Sequence, residues 1–420
     1  MTLPSPTVPV LHVRPARGWL NDPNGTVRHG QRWHVFFQHN PARAQHGDIA
    51  WGHVSSPDLV RWTEHPVAFG PTPDGPDRGG CWSGAFLPWL DRPAVVYTGI
   101  VDGPERSTVC VRTALDDDLE QWSPPVVVAQ EPVGAGVLAM RDPYPFVHNG
   151  RRFALLGAAM TDGSAAVLLF AAADPLAWTY EGVWASPASH PLLAEVAPAD
   201  VWECPQLVRV GDDDVLVLSL QTDRRLEDVV HAVGRVATDP GTGLPRFSAR
   251  SGGLLDLGPD FYAPQVVADE PGRPLLLGWV RQDDAPHDAP PDAVAGCLTL
   301  PRRLEAASGG GLAVLPHPAL DALVAQEQRV APDLLHAPFA LPPQARVRIA
   351  RAGAEVRLRA GAVEVPVDGD VELWLDGEVA EVFRPGTVAR TVRSPGCAPW
   401  SLVGDLRGLE VSVAVAATGR

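Results

Sequence analysis

The feature that most constrains the fold is an internal repeat that occurs five times along the chain. Each copy begins with a short polar or aromatic cluster, enters an apolar strand pattern, turns, and continues into a second apolar strand. The residues at equivalent places in the five copies lie 61, 59, 61 and 59 residues apart, and they are Asp22, Ser83, Asp142, Glu203 and Tyr262. So regular a period indicates a repeat architecture built from one supersecondary unit.

Each copy contains several predicted strands, and helical periodicity is nearly absent. Strand patterns follow the polar clusters at residues 33–37, 94–97, 153–157, 215–218 and 275–279, and further strands come later in each copy. Five units of four strands predict an all-β fold, a five-bladed β-propeller over residues 1–312. A β-sandwich or an open β-array is the alternative. In a propeller the first strand of each blade lines the central channel, so the five equivalent side chains would meet at one end of the axis.

The pattern changes after the fifth copy. Three consecutive glycines at 309–311 predict a flexible break, and residues 318–330 predict a short helix inside a linker over 313–334. Apolar and polar residues then alternate, as in Val371-Glu372-Leu373-Trp374-Leu375. This period of two is typical of half-buried antiparallel strands, and it predicts a C-terminal β-sandwich over residues 335–420.

Composition excludes several classes of function. The net charge of −16 argues against nucleic acid or an anionic membrane as partner. All 34 basic residues are Arg, which excludes Schiff-base lysine chemistry and a P-loop. The five Cys are odd in number and far apart, so neither disulfides nor a zinc site is predicted. We expect no metal and no cofactor. The N-terminus lacks a signal-peptide pattern, which predicts a cytoplasmic protein, monomeric or homodimeric.

Three of the five equivalent residues are acids, and this predicts carboxylate chemistry. Like charges at the mouth of a channel disfavour one another's ionisation, and such a cost indicates a functional site. Two carboxyl groups on either side of a glycosidic bond are the usual means of breaking it. Glu203 suits the proton donor, since Trp202 and Cys204 flank it and apolar surroundings favour a protonated carboxyl group.

The other two acids are expected to remain ionised. Asp22 lies in the stretch Asn21-Asp22-Pro23-Asn24-Gly25, which predicts a turn, the first of five equivalent turns in the repeat. Asn21, Asn24 and the turn amides are donors that are expected to lower the pKa of Asp22. Asp142 directly follows Arg141, a cation that is expected to keep it charged. A permanently charged third acid would orient sugar hydroxyls and offset oxocarbenium charge.

Tryptophans near these stretches are candidates for sugar contacts, because flat rings suit the apolar faces of sugars. The aromatic candidates are Trp19, Trp51, Trp82, Tyr262 and Trp279, with packing within the blades as the alternative for each tryptophan; position favours Trp82 and Trp279. The acidic, proline-rich stretch at residues 283–292 is predicted to be a surface loop, with a lid over the pocket as the alternative.

Together the motifs resemble those of glycoside hydrolase family 32, the invertases, levanases and inulinases. The resemblance covers nearly the whole chain. The matching motifs, in order, are Trp19-Leu20-Asn21-Asp22-Pro23-Asn24-Gly25, Phe36-Phe37-Gln38-His39-Asn40-Pro41, Trp51-Gly52-His53, Trp82-Ser83-Gly84, Arg141-Asp142-Pro143, Glu203-Cys204-Pro205, Phe261-Tyr262-Ala263-Pro264-Gln265 and Gly278-Trp279.

The resemblance implies a five-bladed propeller with a β-sandwich and retaining hydrolysis of β-fructosides. Asp22 would attack the anomeric carbon of the fructosyl unit, and Glu203 would protonate the leaving oxygen and then activate water. Asp142 and Arg141 would hold fructose hydroxyls. The remaining substrate-binding residues implied by the family are Asn21, Gln38, Ser83, Tyr262 and Trp279.

Two departures from the family pattern concern the leaving-group side. Many members carry Trp where this chain has His46, and often a small residue where it has Phe86. We predict a β-fructofuranosidase that acts on sucrose or short fructo-oligosaccharides. The alternatives are a fructosyltransferase, an exo-acting levanase or inulinase, an inverting glycosidase, and a non-catalytic fructan-binding protein.

Overall fold

The computed structural model describes residues 9–103, 105–352, 355–394, 396 and 398–416. This described part of the chain is nearly all β, with 32 strands, one short α-helix and two short 3₁₀ helices. The prediction of an all-β fold is therefore confirmed. Among these residues, no helix combines the length and the apolar character needed to cross a bilayer.

The first part of the chain forms five antiparallel sheets, one for each copy of the repeat. The first two sheets contain β1 (Gly18–His29), β2 (Arg32–Asn40), β3 (Ala50–Ser56), β4 (Thr63–Glu64), and β5 (Gly80–Phe86), β6 (Ala94–Ile100), β7 (Ser107–Thr113), β8 (Val126–Gln130). The third contains β9 (Val137–His148), β10 (Arg151–Met160), β11 (Ala165–Asp174) and β12 (Ala177–Ala185).

The α-helix α1 (Pro191–Val196) leads into the fourth sheet. The fourth sheet contains β13 (Val201–Val210), β14 (Asp213–Thr222), β15 (Arg225–Thr238) and β16 (Pro245–Leu254). The fifth segment contains β17 (Phe261–Glu270), β18 (Arg273–Val280), β19 (Val294–Ala295), β20 (Cys297–Leu298), β21 (Arg302–Ala306) and β22 (Leu312–Pro316). All five predicted second strands of the repeat lie inside β2, β6, β10, β14 and β18.

The first strands of the five sheets meet around a common axis. They contact one another in the cyclic order β1, β5, β9, β13 and β17, and β17 returns to β1. A cavity of about 10 Å³ is lined by residues from all five of these strands. The short strand β19 pairs in parallel with β1, through Gly18 with Val294 and Trp19 with Ala295, so the fifth segment is fastened to the first sheet.

The stretches predicted as turns are β-bulges inside continuous strands. In each first strand, two residues face one residue of the neighbouring strand, at positions 21–22, 82–83, 142–143, 204–205 and 263–264. A bulge bends the strand and re-aims its side chains, and it accommodates proline, which lacks a donor for the sheet ladder. The prediction that Asn21–Gly25 is a turn between elements is therefore wrong.

The five polar residues of the repeat do not occupy the same position relative to their bulges. Asp22 and Ser83 occupy the second position of their bulges, whereas Asp142 occupies the first position. Glu203 and Tyr262 directly precede their bulges. In the last three copies a proline takes the second bulge position, which moves the functional side chain towards the N-terminus of the strand.

Two further sheets follow, and they enclose a second apolar core. The six-stranded sheet contains β23 (Gln328–Arg329), β25 (Gln344–Ala352), β28 (Gly369–Asp376), β29 (Val379–Phe383), β30 (Arg390–Arg393) and β32 (Glu410–Val415). The four-stranded sheet contains β24 (Phe339–Ala340), β26 (Arg357–Ala360), β27 (Val363–Pro366) and β31 (Ser401–Val403). Alternating burial along β26 confirms the predicted period of two.

The helix predicted within the linker is shorter than expected. Helical structure over 318–330 is limited to a 3₁₀ helix at Pro318–Leu323, with a second at Pro332–Leu334. The chain after Leu323 is extended because Gln328–Arg329 pairs with β32. The glycines at 309–311 belong to the hairpin turn between β21 and β22, so the predicted boundary at 312 falls on the first residue of the fifth sheet's last strand.

A buried ion-pair network joins the fifth sheet to the C-terminal sheets. The Arg302 guanidinium lies 2.7 Å from Asp256 and 2.9 Å from Glu381, and all three side chains are shielded from solvent. His12 contacts Glu381 and Asp376 at 3.1 and 2.8 Å. Although burial alone would lower it, hydrogen bonds to these two carboxylates raise the pKa of His12 to about 9. Each charge in the network is therefore stabilised by the opposite charges of its partners.

Replacing Arg302 by Met should destabilise the protein strongly. The substitution leaves the buried carboxylates of Asp256 and Glu381 without their cation, which typically costs about 3–5 kcal/mol. The free energy of unfolding, measured by urea titration, should fall accordingly. Arg407→Met is the matched control, because Arg407 forms an exposed pair with Asp405 and its loss should leave the midpoint unchanged. Equal loss in both variants would contradict a structural role for the network.

Candidate active site

The bulges bring the three predicted acids to one cavity of about 440 Å³. Nine of the eleven predicted site residues line it, and they are Asn21, Asp22, Gln38, Trp82, Arg141, Asp142, Glu203, Tyr262 and Trp279. Each acid is 6–9% exposed, so all three carboxyl groups are largely withdrawn from bulk water. The cavity lies at the end of the axis where the first strands of the sheets meet.

Asp22 is held by donors from two sheets. Its Oδ1 accepts a hydrogen bond from Asn21 Nδ2 at 2.9 Å, and its Oδ2 accepts from Gln38 Nε2 at 2.9 Å and from Ser83 Oγ at 2.6 Å. Trp19 Nε1 donates to Asn21 Oδ1 at 2.7 Å and so orients the amide. Ser83 does not line the cavity wall, yet it contacts the carboxylate directly.

The expectation of a lowered pKa for Asp22 is wrong. Burial raises the pKa of this carboxyl group, and the hydrogen bonds from Ser83 and Asn21 offset only part of that effect. One expected donor does not reach Asp22, since Asn24 Nδ2 makes no hydrogen bond to the described residues and Asn24 Oδ1 accepts from the Gly84 amide at 3.0 Å. The donors around Asp22 therefore offset part of the free-energy cost of burying its charged form.

Glu203 is surrounded by three polar groups. Its Oε1 accepts from Arg141 Nη1 at 2.9 Å and from Gln221 Nε2 at 3.3 Å. Its Oε2 lies 2.7 Å from the Tyr262 hydroxyl, which also lies 2.9 Å from the Leu220 carbonyl oxygen. A phenol carries a single proton. When Glu203 is protonated, it can donate to Tyr262 while Tyr262 donates to Leu220, and this arrangement satisfies all three groups.

The expectation that Arg141 keeps the Asp142 carboxyl group ionised is wrong. Burial and the nearby Glu203 carboxylate raise the pKa of Asp142 to about 8, and the opposing effects of Arg141 and of the Cys204 amide are smaller. The guanidinium of Arg141 bonds to Glu203. The Asp142 carboxylate instead accepts from the Cys204 amide at 2.9 Å. Asp142 is the first residue of its bulge and has a φ of 59°, which re-aims its side chain and explains why the sequence neighbour is not the partner.

Trp51 is not a cavity residue, contrary to the prediction. It is fully buried and stacks on Phe69, with the ring centroids 5.0 Å apart. Its Nε1 donates to the Trp82 carbonyl oxygen at 3.2 Å. Trp51 therefore supports the strand that presents Trp82 and Ser83, and it belongs to the core between the first two sheets.

The cavity wall also contains residues outside the predicted set of site residues. Gln221, Arg224, Leu226 and Gln282 were not singled out by the sequence, whereas Trp19, His46, Asp283 and Asp284 were noted there as an aromatic candidate, a departure from the family pattern and part of the acidic loop. The His46 ring lies between Trp19 and Trp82, 6.2 Å from each. The amide of His46 donates to Asp284 Oδ1 at 2.8 Å, which fixes the acidic loop at the cavity rim. The first residues of the predicted surface loop therefore form part of the cavity wall.

Three buried polar atoms of the wall make no hydrogen bond to the described part of the chain. They are Gln38 Oε1, Arg141 Nε and Trp279 Nε1. Buried polar groups are normally paired, so such atoms are free to bind the hydroxyl groups of a ligand. With the carboxylates and aromatic rings, they define the kind of polar, partly aromatic cavity that binds a sugar and acts on it by carboxylate chemistry.

Comparison with known proteins identifies the family. The chain belongs to glycoside hydrolase family 32, because the model described as "Glycosyl hydrolases family 32 N-terminal domain" matches residues 12–316. This confirms the resemblance seen in the motifs.

Individual relatives agree with this assignment. The chain is 32% identical to "Sucrose-6-phosphate hydrolase" of Bacillus subtilis (strain 168) over 329 residues, which cover 76% of this chain and 67% of that protein. It is 32% identical to "Raffinose invertase" of Escherichia coli over 310 residues, covering 70% and 62%. The solved structure of sucrose-6-phosphate hydrolase from Lactobacillus gasseri has the same fold, with a TM-score of 0.82, 21% identity, and coverage of 99% and 94%.

The raised pKa of Asp142 predicts a pH-dependent contribution to stability. A carboxyl group with a raised folded pKa stabilises fully below its ordinary value of 3.8, and this contribution is lost as pH rises through about 8. Asp142→Asn stays neutral at all pH values. The free energy of unfolding of the natural protein, relative to this variant, should therefore fall between about pH 4 and pH 8, by at most about 1.4 kcal/mol per pH unit, and should level off above that range.

Urea titrations at several pH values measure this difference. The exposed Asp91→Asn is the matched control, and its curve should run parallel to that of the natural protein. A difference between Asp142→Asn and the natural protein that does not change with pH would refute the raised pKa.

Proposed function

We propose that the protein is a retaining β-fructofuranosidase that releases terminal β-D-fructofuranosyl units from sucrose or short fructo-oligosaccharides. The observation that carries the proposal is that Asp22 and Glu203 line one cavity with different partners. Asp22 accepts three hydrogen bonds from uncharged donors. Glu203 instead has the Arg141 guanidinium and the Tyr262 hydroxyl within hydrogen-bond distance. Two carboxyl groups with distinct surroundings are what a nucleophile and a general acid require.

We also propose that the five sheets are the blades of a propeller, followed by a β-sandwich made of the two C-terminal sheets. The cyclic contacts of the first strands and the parallel pairing of β19 with β1 support closure of the ring. We place the end of the propeller at Pro316, where β22 ends and the family match also ends.

In the first step, the Asp22 carboxylate attacks the anomeric carbon, and the glycosidic C–O bond breaks. Glu203 gives its proton to the leaving oxygen, so the leaving sugar departs as a neutral alcohol. Arg141 then stabilises the Glu203 carboxylate that this transfer creates, because its guanidinium already lies 2.9 Å away. The product of this step is a fructosyl ester of Asp22.

In the second step, the Glu203 carboxylate takes a proton from water, and the resulting hydroxide attacks the anomeric carbon. The ester bond breaks, Asp22 is released as a carboxylate, and fructose leaves with its configuration retained. This mechanism requires the two carboxyl groups to be roughly 5–5.5 Å apart. Asp142, Gln38 and Trp279 would bind fructose hydroxyls throughout.

The two catalytic roles predict large losses of activity on conservative substitution. Glu203→Gln should lower kcat on sucrose by about 10²–10⁴-fold, because the amide cannot donate or accept the catalytic proton. Asp22→Asn should abolish measurable turnover. Glu195→Gln is the matched control, since Glu195 is exposed on α1 away from the cavity, and it should keep full activity. Near-natural rates in Asp22→Asn or Glu203→Gln, with unchanged circular dichroism, would refute the assignment.

Trapping the intermediate tests the retaining step itself. A slow fructosyl donor with fluorine on C1 or C3, next to the anomeric C2, and with a good leaving group on C2 should label Asp22, and mass spectrometry of a proteolytic digest locates the label. Release of fructose with inverted configuration, without any label, would indicate an inverting enzyme, whose carboxyl groups lie about 6.5–9.5 Å apart. Kestose-type products as the main output at high sucrose would show a fructosyltransferase, and a preference for inulin or levan would show an exo-acting fructanase.

A further inference from the structure

A second cavity of about 790 Å³ opens from the first one. The two cavities share five wall residues, which are His46, Trp82, Arg141, Gln221 and Arg224. The second cavity is large enough for more than one further sugar unit. It is therefore an extension of the candidate active site along one direction.

The hydrogen-bond partners of Asp22 and Glu203 show on which side of the candidate active site the second cavity lies. Arg141 and Gln221 both donate to Glu203, and both line the second cavity. Asn21 and Gln38 donate to Asp22, and they line the first cavity but not the second. Given the proposed function, on which this inference rests, the second cavity lies on the side of the acid, where the leaving group is released.

The charges along this path are mostly negative. Glu105, Asp200 and Asp223 line the second cavity, and Asp283 and Asp284 lie at the rim of the first. The positive groups are Arg141 and Arg224. Arg141 is paired with Glu203, and Arg224 is 85% exposed and lies 3.4 Å from Glu105. Carboxylates therefore outnumber the guanidinium groups that could meet a leaving group.

A strained hairpin holds part of this charge in place. Asp223 and Arg224 form the tight turn between β14 and β15, with φ values of 50° and 61°. Such turns normally use Asn and Gly, because other side chains are disfavoured at positive φ. The Asp223 amide donates to Asp200 Oδ2 at 2.9 Å, which stabilises the turn. Strain of this kind concentrates at functional sites.

We infer that this chain prefers uncharged leaving groups and discriminates against a leaving sugar that carries a phosphate. The acidic lining, which includes the exposed residues Glu105 and Asp223, repels a phosphate dianion, whereas sugar hydroxyls can donate to the same carboxylates. The preference would thus be opposite to the substrate in the names of several relatives of the chain.

The test compares kcat/KM for sucrose and for sucrose 6-phosphate phosphorylated on the glucose unit. At low ionic strength, sucrose should be preferred on the order of tenfold. Added salt should narrow the ratio, because the lining carboxylates are exposed and screening weakens their repulsion. The double variant Glu105→Gln/Asp223→Asn should narrow it as well. The matched control is Asp288→Asn/Asp292→Asn, which removes two exposed carboxylates from the loop that follows Asp284. Both residues lie outside the two cavities, so the ratio of the two kcat/KM values should not change.

The possible outcomes are distinguishable. Equal or better use of sucrose 6-phosphate overturns the inference, and loss of that preference in Arg224→Gln would show that Arg224 binds the phosphate. A preference for sucrose that neither salt nor the double variant changes overturns the electrostatic cause. No hydrolysis of either substrate overturns the proposed function, and the inference fails with it.

Discussion

The rest of the structure depends on the packing of three carboxyl groups in one cavity where five strands meet. Burial disfavours each charge, and the charges disfavour one another. The fold resolves this by giving each acid a donor from a neighbouring sheet. Ser83 of the second sheet bonds to Asp22, and the Cys204 amide of the fourth bonds to Asp142. Glu203 receives Arg141 from the third sheet and Tyr262 from the fifth. Closing the ring and assembling the site are therefore the same event.

This arrangement explains why the scaffold must be rigid. A shift of one sheet would leave a buried carboxylate without its donor, at a cost comparable to a large part of the stability of a domain. The parallel pairing of β19 with β1 closes the ring near the site. On the outside, the Arg302 network fixes the fifth sheet against the C-terminal sheets. The C-terminal part thus acts on the site indirectly, through the position of the fifth sheet.

The sequence predicts those features that depend on composition and period, and it does not predict those that depend on contacts between strands. The period of the repeat and the chemistry of Asp22, Asp142 and Glu203 were sufficient for the all-β fold and the acids. The bulge at Asn21–Asp22 has the composition of a turn, so the two cannot be told apart locally. The pairing of Arg141 with Glu203 is set by which face of the strand each residue occupies. For the same reason Trp51 could not be assigned to the core from the sequence alone.

Residues of the leaving-group side escaped prediction because they lie on different elements. Gln221 lies near the end of β14, Asp223 and Arg224 form a hairpin turn, and Asp283 and Asp284 lie in a loop. Gln221 donates to Glu203, whereas the residues of the hairpin turn and the loop have their hydrogen-bond partners outside the three acids. Loops can therefore change charge without disturbing the ring, while the strands that carry the acids cannot. Under the proposed function, one ring of acids can therefore serve leaving groups of different charge, and the rim, which is free of the ring's electrostatic constraint, is where we expect selectivity between neutral and charged substrates to arise.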